Sequence, residues 1–503
     1  MTRKRRSLLL LGVLAVAAFF RFYHLAATPP GLYIDEAMDG ANAQYAAQTG
    51  QFKVYYPEDN GREGLYVNIL ALAFRYHLLP DTAPWSVRMP AAVFGVLTVL
   101  GVYLLVTELF TGSIALLSAF FLATSFWHVN FSRIGFRAIL APFCLSWAMY
   151  FLLKAFRGSN PRNGTLLGRG GTAKYFLCAA AGGVFYGLGF YTYIAFRITP
   201  LLLPVPILFF RKQPAAWKCT ALFLVVAFLV ALPIGWYYLH HPADFFTRTA
   251  QLSVTRSANP IAVIAGNIYK TALMFNWHGD RNWRHNIPRE PELFWPVGIC
   301  FLLGMIPGAA ALLKRSPGRA AGGSQFAILF LMVWFILGTL PEILSDGGVP
   351  HALRAILTVA PAMIFAAVGA LGIYGWLAAK LSARWMAAVT ASFLAFLCAA
   401  AYRQYFVTWA TDPNVAAAFD AGYVAIGDEI NALPQATEKY VVVTGGILDY
   451  GIPSVAESAL YLTHSFVPDA AAQKQVGHIH FLLPNEIDQI PSGTARSAIF
   501  EIR

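Results

Sequence analysis

The chain has 503 residues, of which 57% are hydrophobic and only 12% charged, with a mean hydropathy of +0.55. Soluble domains carry about 25% charged residues, so a water-soluble globular fold is excluded: this much apolar side chain has no aqueous-phase core to fill. The formal charge of +12 sits in short clusters between apolar runs, as orienting charges of a membrane protein do, which excludes the continuous basic face of a nucleic-acid binder.

In chain order, Thr2-Arg3-Lys4-Arg5-Arg6 precedes the apolar stretch Ser7 to Phe20. This resembles a signal peptide, but Arg21-Phe22-Tyr23-His24 offers no small-x-small cleavage site and more apolar runs follow, so an uncleaved signal anchor is expected. Spans of about twenty apolar residues are expected at 7–25, 87–109, 113–130, 137–156, 175–192, 196–210, 219–239, 293–313, 325–343, 352–378 and 385–402. The run 196–210 is short and holds Pro200, Pro204 and Pro206. The run 64–79 is interrupted by Arg75 and His77 and ends at Pro80, so it reads as an interfacial or re-entrant helix.

With the N-terminus cytoplasmic, the inner segments collect the basic N-terminus, then Arg157, Arg162, Arg169 and Lys174, then Arg211, Lys212 and Lys218. Lys314, Arg315 and Arg319 follow, then Lys380 and Arg384. That positive-inside bias selects a topology of about eleven helices in a cell (inner or plasma) membrane. The outer segments are then 26–86, 131–136, 240–292 and the tail from about 404. In the tail, 440–443 and 478–483 read as strands and 413–432 as an amphipathic helix. The expectation is an all-α polytopic membrane domain, 1–403, followed by a small extracytoplasmic α/β domain, 404–503. Neither a solenoid repeat nor the duplicated half common in transporters is present. The five cysteines, Cys144, Cys178, Cys219, Cys300 and Cys398, lie in apolar stretches and read as small buried hydrophobes.

Four outer clusters carry chemistry. In Gly31-Leu32-Tyr33-Ile34-Asp35-Glu36, adjacent carboxylates point in different directions, so one can face a cavity as a general base while the other takes a basic partner. The plain alternative is Asp35 as N-cap of a helix 36–48. Further along this loop, Glu58-Asp59-Asn60-Gly61-Arg62-Glu63-Gly64 reads as a solvated turn. Ser132-Arg133-Ile134-Gly135-Phe136-Arg137 places two guanidinium groups where they can grip a lipid phosphate or snorkel to head groups. The densest cluster, Asn276-Trp277-His278-Gly279-Asp280-Arg281-Asn282-Trp283-Arg284-His285-Asn286, mixes rings that stack on sugar faces with polar groups that fix hydroxyls. His278, Asp280 and His285 lack a convincing metal-ligand spacing. Last, Ser345-Asp346-Gly347-Gly348-Val349-Pro350-His351-Ala352-Leu353-Arg354 could complete a phosphate pocket through His351 and Arg354.

Together these pieces resemble the GT-C polyprenyl-phosphate-dependent glycosyltransferases, in the bacterial branch related to protein O-mannosyltransferases and lipid A aminoarabinose transferases. The resemblance rests on Asp35-Glu36 after the first helix and on Trp85-Ser86-Val87-Arg88-Met89-Pro90. It also rests on Ser132-Arg133 with Arg137, on Gly279 to Asn286, and on His351-Ala352-Leu353-Arg354. It implies inverting sugar transfer from a polyprenyl-phosphate donor to an extracytoplasmic acceptor (protein, lipid or glycan), with Asp35 and Glu36 catalytic. Arg133, Arg137 and Arg354 are the implied contacts to the donor phosphate. His278, Asp280, Arg284, His285, Asn286 and His351 are the candidate contacts to the donor sugar or phosphate. Gly61-Arg62-Glu63-Gly64 stands where the aminoarabinose transferases have a basic, Pro-rich stretch, which argues against a lipid A acceptor. No cofactor is required by this chemistry; the loop histidines leave a divalent metal open. The partners expected are the donor, an acceptor of unknown identity and membrane lipids, with no nucleic acid. The rival reading, a transporter or flippase of lipid-linked substrates, would place ionisable groups along mid-membrane or broken helices, whereas here they gather on the outer rim.

Overall fold

The computed structural model describes every residue except Met1, 59–60, 159–168, 314–321, 446–447, 450–451, 491–496 and Arg503. Asp59, Asn60, Arg162, Lys314, Arg315 and Arg319 of the readings above, and the side chain of Arg169, lie outside the described residues.

The chain is mostly helical, and helices occupy the apolar runs in the order expected. Among the described residues six are long and apolar enough to cross a membrane: Pro84–Leu109, Arg137–Gly158, Ala216–His240, Gln325–Ile343, Ile356–Ala378 and Ala383–Trp409. Two stretches depart from a continuous span. The run 113–130 breaks at Ser125 into Gly112–Thr124 and Phe126–Phe131. Here the buried Arg21 guanidinium donates to the carbonyls of Leu122 and Ala123, and the Ser125 hydroxyl accepts the His128 N–H. The side chains thereby satisfy backbone groups that the lost turn leaves over. The run 196–210 becomes a 3-10 helix, Ile194–Leu202, and a short helix, Pro204–Phe210, because its prolines remove amide donors.

The segment 240–292 contains two helices that hydropathy did not single out, Pro242–Leu252 and Pro260–Met274. Both begin with proline at the first helical position, and Asn259 caps the second through the Ala262 N–H, a usual start pattern.

Contacts divide the chain into two compact units, and not at the linear boundary 403/404. The first comprises Met1–Tyr23, Ala92–Ser132 and Ala138–Val407; the second comprises His24–Ala91, Arg133–Arg137 and Thr408–Arg503. In the first unit Leu140–Gly158 packs on Arg169–Gly189, which packs in turn on Ala216–His240. Trp295–Leu313 packs on Val359–Ala378. There Gly304 faces the Phe365 carbonyl and Gly369 faces that of Cys300, so closely that a Cβ on either glycine would collide with backbone. Small residues commonly bring membrane helices together in this way.

In the second unit Ile34–Thr49 packs on Leu65–Arg75, a helix within the run 64–79, and on Glu457–Leu462. A four-stranded sheet has the order 475–476, 479–482, 438–443, 497–502. Its strand Glu438–Val443 pairs in parallel with Ile479–Leu482 and Ser497–Ile502. The first two of these strands were expected; Ser497–Ile502 was not, because its alternation of buried and exposed residues is short and follows a polar stretch. The helix expected at 413–432 breaks at Asp420, whose φ is 55°. From there the Asp420 carboxylate accepts the N–H of Ile34 at 3.3 Å.

Candidate active site

The second unit holds Asp35 and Glu36. Sequence analysis offered Asp35 as a helix cap; the N-cap is instead Tyr33, and Asp35 lies in the first turn of Ile34–Thr49. The capping is done by Glu36, whose Oε2 accepts the Tyr33 N–H at 3.3 Å. Glu36 is fully buried. Its Oε1 accepts from Arg88 Nε at 2.8 Å and from the Gly135 N–H at 2.7 Å, and its Oε2 accepts from Arg88 Nη2 at 3.0 Å. Arg88, also fully buried, donates further to the carbonyls of Pro29 and Gly31. A carboxylate enclosed in this way has little capacity left for a substrate proton; it ties the start of the helix to the chain before it.

Asp35 differs: its side chain is 33% exposed, and Oδ1 meets Arg62 Nη2 at 3.3 Å. Arg62 also donates to the Asp35 carbonyl at 3.0 Å and to Asp39 Oδ1 at 3.3 Å. Asp39 is almost completely buried. Burial, and then the Asp35 charge, push its carboxyl up to about 6, against the opposing pull of Arg62 and Arg137.

The turn containing Arg62 and Glu63 is therefore not a solvated loop. Glu58, Arg62 and Glu63 are all buried, which is possible because each charge is matched: Lys53 holds Glu58 at 3.0 Å and Arg137 holds Glu63 at 2.9 Å. Of the proposed phosphate grips, Arg137 is engaged with Glu63, and the buried Arg133 donates to the Thr28 carbonyl at 2.8 Å.

The first unit gathers the other clusters. Asp280 is buried and accepts three hydrogen bonds: Oδ1 from the Asn282 N–H at 2.8 Å, and Oδ2 from His285 Nδ1 and the Ala352 N–H, each at 2.8 Å. Burial alone would raise its carboxyl; these hydrogen bonds, led by that of His285, outweigh it and hold the group below the usual range. His351 joins through its ring, 4.7 Å from that of His285 between centroids, with Nδ1 at 4.0 Å from Asp280 Oδ2. Burial keeps the His351 imidazole well below its usual range, with His285 and Arg354 adding to the effect. Two further acids anchor the pair. Glu292 Oε1 accepts the Asp280 N–H, and Glu342 Oε1 accepts the His351 N–H, both at 2.9 Å. Burial, reinforced by the charge of Asp280, drives Glu292 well above the usual range.

The remaining candidates are looser. His278 is exposed, Arg284 is half-buried and lends its carbonyl to Asn130 Nδ2 at 2.7 Å, and Asn286 donates to the Glu290 carbonyl at 2.6 Å. Arg354 donates to the Gly347 carbonyl at 2.8 Å. Sequence reasoning missed Asp39, Arg62, Glu292 and Glu342. Glu342 had a visible sign, an acid within an apolar run; the other three resembled ordinary loop and helix charges.

With this geometry in view, the comparisons are informative. Residues 70–237 match the family model described as dolichyl-phosphate-mannose-protein mannosyltransferase. No curated protein matches the chain by sequence. Among solved structures, the oligosaccharyltransferase of Archaeoglobus fulgidus, tethered with an acceptor peptide, is 16% identical with a TM-score of 0.56. That match covers 92% of this chain and 63% of the oligosaccharyltransferase, so the chain spans just under two thirds of the length of that protein. ArnT from Cupriavidus metallidurans, bound to undecaprenyl phosphate, is 15% identical with a TM-score of 0.56, over 99% of this chain and 93% of ArnT. The likeness to these solved structures is one of fold.

Proposed function

We propose that the chain is a membrane glycosyltransferase that moves a sugar, with inversion, from a polyprenyl-phosphate donor to an extracytoplasmic acceptor. The observation that carries this reading is the division of labour in the acidic pair. Asp35 is accessible and oriented by Arg62, while Glu36 is enclosed by Arg88 and the Gly135 N–H. The similar structures support the donor class: ArnT is bound to undecaprenyl phosphate, and the Archaeoglobus fulgidus oligosaccharyltransferase AglB has been solved with a dolichol-phosphate.

In this mechanism the Asp35 carboxylate accepts the proton of the acceptor hydroxyl as its oxygen attacks the anomeric carbon. The bond from that carbon to the phosphate oxygen breaks on the opposite face, and polyprenyl phosphate leaves with the electron pair. Glu36 acts by holding the helix start that carries Asp35. Within the second unit Arg133 and Arg137 are the candidates for positive potential toward the departing phosphate; the other candidate donor contacts, His278, Asp280, Arg284, His285, Asn286, His351 and Arg354, belong to the first unit. The topology that goes with this reading is about eleven spans with a cytoplasmic N-terminus and the sheet-bearing tail outside, supported by the inner basic clusters.

The test is release of polyprenyl phosphate by the purified full chain, supplied with a panel of polyprenyl-phosphate sugars and candidate acceptors. Turnover by the wild type that is lost in Asp35→Asn is expected. Equal turnover by the two proteins overturns the assignment of Asp35.

A further inference from the structure

Sequence analysis weighed a metal at His278, Asp280 and His285 and found the spacing unconvincing. The fold substitutes a residue 66 positions beyond His285: His278 is exposed, and His351 takes its place beside Asp280 and His285. One ligand atom from each of these three lies within 4.8 Å of the others. We propose that Asp280, His285 and His351 bind a divalent transition-metal cation, Zn2+ by ligand preference, since two imidazoles and a carboxylate are a donor set that Zn2+ favours.

Three further features point to a missing cation. His351 Nδ1 is buried without a hydrogen-bond partner, an uncommon state for a ring nitrogen and one that demands an explanation. Glu292 Oε2 and Glu342 Oε2 are likewise buried with no partner, while the other oxygen of each receives the backbone N–H of Asp280 or His351. Each of these two ligand residues thus has its main chain fixed by a buried acid, as outer-shell groups of metal sites fix theirs. Finally, in the metal-free arrangement a single proton on His285 Nδ1 bridges to Asp280 Oδ2 at 2.8 Å. A cation at about 2.0–2.2 Å from each donor would replace that proton. Tetrahedral donors at that distance stand about 3.3 Å from one another, so His351 Nδ1, now 4.0 Å from Asp280 Oδ2, would draw in and His285 Nδ1, now 2.8 Å from the same oxygen, would draw apart. This inference concerns binding and does not depend on the transfer reaction.

The experiment uses the full chain in detergent, stripped with chelator and titrated with Co2+ and then Zn2+. Bound metal is quantified by elemental analysis, and Co2+ ligand-field absorption reports the donor set. One metal per chain is expected, with a tetrahedral or five-coordinate Co2+ spectrum. His351→Gln should weaken binding by more than about 10–100-fold, the range reached by losing an outer-shell group alone. Asp280 also ties down two backbone amides, so its variants could misfold; His285→Gln is the second variant, with thermal unfolding as the check on folding. Glu438, which receives His478 and His480 at 2.6 and 2.7 Å, is the competing cluster, and Glu438→Gln is expected to leave the stoichiometry and spectrum unchanged. A wild type that takes up no stoichiometric metal overturns the proposal. So does unchanged affinity in folded His351→Gln and His285→Gln, or loss of the signal in Glu438→Gln.

Discussion

The two units satisfy buried acids in opposite ways. In the second unit, side-chain cations do most of it: Arg88 on Glu36, Arg62 on Asp39, Arg137 on Glu63 and Lys53 on Glu58. In the first unit, backbone N–H groups and imidazoles meet Asp280, Glu292 and Glu342. A permanent cation keeps its carboxylate ionised and fixes geometry bidentately. Amide donors and imidazoles hold a carboxylate without a permanent cation beside it. Asp39, which shares Arg62 with Asp35, keeps its carboxyl near 6 because burial outweighs the pull of that arginine and of Arg137.

The contrast is sharpest in four single variants, taken in decreasing order of effect, and one double variant. Asp35→Asn removes the exposed carboxylate and should lower transfer by about 10²–10⁴-fold, the usual worth of a positioned base, with little change in unfolding temperature. Turnover measured against lipid-phosphate release checks it. Arg88→Met leaves Glu36 as an uncompensated buried charge and should cost about 3–5 kcal/mol, read as a fall in denaturation midpoint. The double variant Arg88→Met with Glu36→Leu should recover part of that loss. No recovery would mean that Arg88's hydrogen bonds to the Pro29 and Gly31 carbonyls matter more than its pairing with Glu36.

Asp39→Asn tests the shared arginine through pH. The folded carboxyl stands near 6 against an unfolded value near 3.8. Asp39 therefore contributes stability that is complete below about pH 4 and lost as pH rises through about 6. Wild type should lose roughly 3 kcal/mol relative to Asp39→Asn across that window, and parallel stability curves would remove Asp39 from the account. The smallest change is expected for Glu292→Gln. Its carboxyl sits well above the usual range, so an amide reproduces its protonated form and should cost less than about 1 kcal/mol by chemical denaturation. A loss as large as that of Arg88→Met would erase the distinction between the units.

Much of the fold could be read from residue order. Hydropathy depends on composition along the chain, so the apolar runs appear as helices, and the strands at 438–443 and 479–482 were visible as β-branched and aromatic stretches. Where side chains intervene, the reading failed. The break at Ser125 depends on Arg21, about a hundred residues away. The turn Gly61 to Gly64 looked solvated because Arg62 and Glu63 are charged, and only their distant partners Asp35, Asp39 and Arg137 make burial possible.

The acidic pair shows the same division. Sequence alone determined that two carboxylates open a helix after the first apolar run, because acids in a first turn are a local preference. It also determined the membrane class, because 57% hydrophobic residues have no soluble alternative. Only the tertiary structure decided which carboxylate is exposed and which is enclosed by Arg88. It alone decided that Asp280 and His285 are joined by His351. Such choices are made by charge pairs and hydrogen bonds between residues far apart in the chain, and local patterning carries no record of them.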